Sequence, residues 1–183
     1  EYVGTDFIGW QIQSKGNSIQ TLIQNKISKL LKEKIILIGS GRTDKGVNAW
    51  GQSAHFDTKK KIINVKKFIQ SLNFFLNQKL ISITEIKKRN LNFHARYSAK
   101  ERIYEYIILN RIAPPSLDKN KVWHIRKKLD LEIMKKGAKK LLGTHDFSTF
   151  RASDCYSKSP IRTIKKINIK RINKKIVIQF KSK

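Results

Sequence analysis

Apolar residues at positions 19, 22, 23, 27, 30 and 31 recur at intervals of three and four, directly after Ser18. That spacing predicts an amphipathic helix capped by Ser18, with one face turned to a core. A second helix is predicted over residues 65–76, where Phe68, Ile69, Leu72 and Leu76 fall in register. A third runs from the Asp130 cap to about Leu142, stopped by Gly143. Between the helices the period changes. Residues 1–13 read as a strand entering a turn at Gly9, residues 34–38 as a short apolar strand, and residues 52–56 as its neighbour. "ISITEI" at 81–86 alternates as a half-buried strand does. Residues 96–109 predict another strand around Ile103, Tyr104 and Tyr106, and residues 110–121, with Pro114 and Pro115, a loop. The last residues, 161–183, read as two alternating strands joined near Asn173.

Strands and helices that alternate in this way predict an α+β chain in two halves, each a sheet with helices on one face. The expected halves are residues 1–97, holding the glycine-rich loop described below, and residues 98–183. The second half is expected to be incomplete at its C-terminus. Its final apolar stripe, Ile176, Ile178 and Phe180, would need more strands or a helix to cover it, yet the sequence ends at Lys183. The absence of an initiator Met likewise suggests that a few N-terminal residues are missing. No short-period repeat is visible.

Composition narrows the function classes. No apolar run approaches the eighteen or so residues of a membrane span, and the opening residues do not pattern as a signal peptide. The single cysteine, Cys155, fits a reducing cytoplasm and reads as a structural or incidental thiol. No Cys/His cluster has zinc spacing. His55, His94, His124 and His145 lie beside aromatics or glycines and read as core or hydrogen-bonding residues. The net charge of +27 is the strongest compositional signal. Of the 40 basic residues, 31 are Lys and nine are Arg, and Ile is abundant, so AT-rich genome drift accounts for part of the excess. The remainder implies a polyanionic partner, nucleic acid rather than a membrane surface. Two Lys-rich stretches, residues 57–67 and 161–175, are either solvated faces or RNA contacts.

The stretch "IGSGRTDKGVNAWGQSAHFD", residues 38–57, is the candidate for chemistry. It is not a phosphate loop: Gly41 and Gly46 have Walker spacing, but Val47 and Asn48 stand where Lys and Ser/Thr are required. Nor is it a dinucleotide fingerprint, because the third glycine would fall on Asp44. Two readings remain. Asp44 either caps a turn through neighbouring backbone N–H groups, or it is a nucleophile or base kept ionised by Arg42 or another cation. Simple glycoside hydrolysis usually takes two carboxylates, and only one is well placed here.

Five blocks, "YVGTDFIGWQIQ", "GSGRTDKGVNAWGQSAHFD", "NFHARYSAKERIYEYIIL", "GTHDFSTFRA" and "SPIRTIKKI", stand in the order and approximate spacing of the TruA-type tRNA pseudouridine synthases. The chain resembles that family from Glu1 to about Ile172. The resemblance implies the pseudouridine-synthase fold: two ferredoxin- or RRM-like halves with largely antiparallel sheets and an active site in the cleft between them. It implies an RNA-modifying isomerase that converts uridines at positions 38 to 40 of the tRNA anticodon stem-loop, acting as a cytoplasmic homodimer without metal or organic cofactor. Asp44 matches the family's catalytic aspartate, and Arg42 an arginine that holds the substrate strand and the flipped nucleotide. Tyr104 matches a tyrosine that contacts the target base, while Tyr106 is the packing member of "YEY". "GWQ" and "GTHDF" read as structural. Lys45, Arg96, Lys100 and Arg102 are the candidate RNA-backbone contacts.

The chain departs from the family in one respect. Family members continue into an "FL…MVR" block whose basic residue pairs with the catalytic aspartate, and that block does not occur here. A fragment of a longer enzyme, or a decayed version, is therefore expected. The alternatives to an isomerase are a non-catalytic basic RNA-binding module, and a glycosylase that would release free uracil.

Overall fold

The computed structural model describes residues 1–151 and 159–182. The expectation for Cys155 lies outside them. The described chain is a mixed α+β protein whose sheets are mainly antiparallel, and it divides into two compact units, Glu1–Ala99 and Lys100–Lys183.

In the first unit, α1 (Ile19–Leu31) begins at Ser18, whose hydroxyl accepts the Thr21 N–H. It buries Ile19, Ile23, Ile27 and Leu31, the face that the periodicity predicts. The helix ends at Lys32 in the left-handed region. α2 (Val65–Leu76), capped by Asn64, packs on α1 and buries Leu72 and Leu76. These side chains close one core with Tyr2, Phe7, Trp10, Ile35, Leu37 and Ile81.

The strands of this unit are shorter than the pattern predicts. β1 (Ile38–Gly39) and β2 (Ala54–His55) pair antiparallel over two residues each. Residues 34–37 do alternate, with Ile35 and Leu37 buried and Ile36 66% exposed, but they have no strand partner among the described residues. Polar side chains of α1 take the place of one. Ser28 Oγ accepts the Ile35 N–H, Gln24 Oε1 accepts the Leu37 N–H, and Gln20 Nε2 donates to the Leu37 carbonyl. The strand expected over 81–86 is likewise reduced to a bridge at Ile81, because the Asn73 amide of α2 bonds both the N–H and the carbonyl of Ile83. In place of the strand expected over residues 1–13, Tyr2 forms isolated bridges to Ala49 and Ile81.

The second unit is a five-stranded sheet in the order β4-β3-β7-β6-β5. β3 (Arg102–Asn110) and β6 (Ile161–Ile172) flank β7 (Lys175–Ser182), so the last strand is central in the sheet. A tight turn at Asn173, φ 54°, joins β6 to β7. β4 (Trp123–Ile125), unread in the sequence, runs parallel to the end of β3. Asn110, expected to open a loop, instead ends β3 and stitches the sheet edge. Its amide donates to the carbonyls of Ile125 and Lys127 and accepts the Leu129 N–H. α3 (Leu131–Lys139) starts at Asp130, which accepts two N–H groups, and packs on β6. It stops three residues before Leu142, and Gly143, φ +101°, opens β5 (Gly143–Asp146) instead of ending the helix.

Candidate active site

The loop between β1 and β2 is pinned from several sides. At its base the Ser40 N–H donates to the Ser53 carbonyl, and Gln52 Nε2 donates to the Gly41 carbonyl at 2.6 Å. In the middle, the residue before Asp44 has two anchors. The Trp10 N–H donates to the Thr43 carbonyl at 3.0 Å, and the Tyr2 hydroxyl shares a 2.7 Å hydrogen bond with Thr43 Oγ1. Past Asp44 the chain turns, the Val47 N–H reaching the Asp44 carbonyl at 3.2 Å, with Gly46 at φ +79°, a conformation that L side chains rarely adopt. Beyond the turn, Asn48 Oδ1 accepts the Gly4 N–H, and Ala49 exchanges both backbone bonds with Tyr2.

This accounts for the N-terminal block that the sequence marks only as structural. Gly9, φ +116°, lies so close to the loop that a Cβ there would sit 2.6 Å from the Thr43 carbonyl oxygen. Trp10 stacks on Tyr2 with ring centroids 6.0 Å apart. Tyr2 and Trp10 are thus the positioning residues that sequence reasoning missed. The available signal was an aromatic pair flanking a glycine, but nothing local tied it to a loop thirty-odd residues away. Burial pushes the Tyr2 phenol up from its ordinary value, partly offset by the Thr43 bond.

Against this fixed backbone, the side chains of Arg42, Asp44 and Lys45 are all exposed. The Asp44 carboxylate makes no hydrogen bond and no ion pair among the described residues, with neither Arg42 nor Lys45 closing on it. The turn-capping alternative therefore does not describe it: the turn forms through the backbone, and the carboxylate is left to solvent. Arg96 is on the same unit, next to Ala95, whose N–H donates to His55 Nδ1 at the end of β2. His55 and His94 act as hydrogen-bond acceptors here, His94 Nδ1 taking the Arg96 N–H. His124 and His145 bond the carbonyls of Arg111 and Leu142. No group of three potential metal ligands occurs among the described residues, and no helix among them is long and apolar enough to cross a membrane.

Lys100, Arg102 and Tyr104 belong to the second unit, at and before the start of β3. The register pairs Tyr104 with Phe180 and Tyr106 with Ile178, which puts both tyrosines on one face of the sheet. They differ in company. Tyr106 makes an edge contact with Phe180 at 5.9 Å, whereas the Tyr104 ring, 45% exposed, makes no aromatic contact among the described residues.

A family model described as tRNA pseudouridine synthase matches residues 1–98 and 138–183. A tRNA pseudouridine synthase A from Pelagibacter ubique (strain HTCC1062) is 66% identical over 182 residues, covering 100% of this chain and 74% of that protein. Another from Anaplasma phagocytophilum (strain HZ) is 42% identical over 173 residues, covering 92% of this chain and 69% of that protein. The matched segments contain the loop of Asp44, the strand pair β6–β7, and all of the described N-terminal anchors.

Proposed function

The chain belongs to the tRNA pseudouridine synthase family of RNA-modifying isomerases, and on that premise we propose that it converts uridines at positions 38 to 40 of the anticodon stem-loop to pseudouridine with Asp44 as the catalytic carboxylate. The observation that carries this reading is the mounting of that carboxylate: exposed, on a loop whose backbone is held on both sides.

The reaction breaks the N1–C1′ bond, turns the uracil, and forms a C5–C1′ bond. C5 loses a proton and N1 gains one, so substrate and product are isomers, and neither oxidant nor water is consumed. A carboxylate has two ways to assist, attack at C1′ or removal of the C2′ proton on the way to a glycal. Either needs an ionised carboxylate presented at the sugar. Arg42 holds the substrate strand and the extruded nucleotide, and Tyr104 contacts the target base. Extrusion costs a few kcal/mol of unstacking. Cationic contacts from Lys45, Arg96, Lys100 and Arg102 to the phosphates offset it. In this reading the enzyme works in the cytoplasm as a homodimer, as its family resemblance implies.

The test is product identity. An anticodon stem-loop with uridine at each of positions 38 to 40 is incubated with the chain, digested to nucleosides, and scored for pseudouridine and free uracil. Pseudouridine at those positions without free uracil is expected. Free uracil would show a glycosylase, and tight RNA binding with neither product would show a non-catalytic RNA-binding module.

A further inference from the structure

The Asp44 loop also holds the chain's most exposed tryptophan. Trp50 is 85% exposed, whereas Trp10 is 3% exposed in the core. Leaving so large a ring in water forgoes most of the burial that normally stabilises a tryptophan. The backbone around it is not free to bring it in. Ala49 exchanges both backbone bonds with Tyr2 and packs against the core, and Gln52 ties the loop's far side to the Gly41 carbonyl. At Gly51 a Cβ would meet no atom within 4 Å, so the outer side of the loop is open there. A rigid backbone therefore holds the indole in solvent, six residues from Asp44 and on the same loop as the exposed Arg42 and Lys45.

The partner that fits this combination offers a flat π-face and a neighbouring negative charge, which is an unpaired base on a phosphate backbone. We propose that Trp50 is a stacking platform for an unpaired base of the RNA substrate, the adjacent cations taking the phosphates. The proposal rests on the function proposed above and adds to it a binding contact, not a group that takes part in bond making.

The test uses the full chain in a Trp123→Phe background, so that Trp50 is the exposed emitter. Titration with the anticodon stem-loop is expected to quench its emission saturably. Trp50→Ala is expected to weaken RNA binding about ten-fold, the scale of one lost base–aromatic stack, and Trp50→Phe to recover most of that loss. Turnover at saturating RNA should stay within about three-fold. The slope of log K against log salt should be unchanged, because a stack releases no counterions. The thermal midpoint should not move, since the ring is exposed. Unchanged affinity in Trp50→Ala, or emission that shifts with protein concentration in the absence of RNA, would overturn the proposal. The two readings fail separately: an Ala variant that isomerises uridine with undiminished affinity sinks only the stacking platform. Saturable quenching without any pseudouridine sinks only the isomerase.

Discussion

Removing one hydroxyl, in Tyr2→Phe, should uncouple the Asp44 loop from its support. The phenol and Thr43 Oγ1 share a 2.7 Å hydrogen bond one residue from Asp44, and Tyr2 is 5% exposed. The ring would keep its place against Trp10, so the loss is confined to the hydrogen bond. A typical intramolecular hydrogen bond contributes about 1 kcal/mol net. The Thr43 hydroxyl is only partly buried and can turn to water, which keeps the expected cost near that figure. For a unit of this size, about 1 kcal/mol lowers the unfolding midpoint by roughly 4–8 °C. Thr43→Val removes the other partner, and a double-mutant cycle read by urea unfolding should return a coupling of about 1 kcal/mol. Activity should suffer more than stability. A carboxylate displaced by about 1 Å can cost on the order of 100-fold in rate, so kcat should fall at least ten-fold with little change in RNA affinity. A coupling near zero, together with unchanged kcat, would refute the claim that this hydrogen bond positions Asp44.

The same phenol makes stability depend on alkaline pH. Its folded-state pKa is raised above the ordinary 10.0 by burial, so its contribution is complete below pH 10. That contribution is lost as pH rises through the folded value, because the unfolded state gives up its proton first. Urea midpoints measured from pH 8 to 11 should fall more steeply for the parent than for Tyr2→Phe. Asn73→Ala should cost about 2 kcal/mol, since it leaves the N–H and the carbonyl of Ile83 without their amide partner; equal urea midpoints for variant and parent would contradict this. Gly9→Ala places a methyl 2.6 Å from the Thr43 carbonyl at a φ of +116°. It should lower both the thermal midpoint and kcat, and a variant with parental kcat would show that Gly9 does not set the loop.

The helices were legible because their signals are local. Ser18 and Asp130 are caps within three residues of the N–H groups they satisfy, and the burial of α1 follows its own spacing. The strands of the first unit were legible only as short apolar or alternating runs. Ile35 and Leu37 turn inward where the sequence shows only a continuous apolar run, and whether a segment becomes a strand depends on what meets its backbone. Here Gln20, Gln24 and Ser28 of one helix and Asn73 of another supply those partners. No periodicity reports such substitutions. β4 and β5 escaped for a related reason: three and four residues are too short to show a period, and long-range pairing with β3 and β6 creates them. At the site, the glycine spacing argued against a Walker or dinucleotide loop and left two readings of Asp44 open, and the catalytic one came from the family resemblance. What it did not reveal is the support, because Tyr2 and Trp10 reach Thr43 across about forty and about thirty residues of chain.

The central claim is that Asp44 performs chemistry. An anticodon stem-loop labelled with tritium at uridine C5 loses the label when C5 bonds to the sugar, so tritium release reads the reaction directly. The parent chain should release tritium while Asp44→Asn releases none and binds the RNA with affinity within a few-fold of the parent. Release undiminished in the Asn variant, or absent from both despite tight binding, would contradict the assignment.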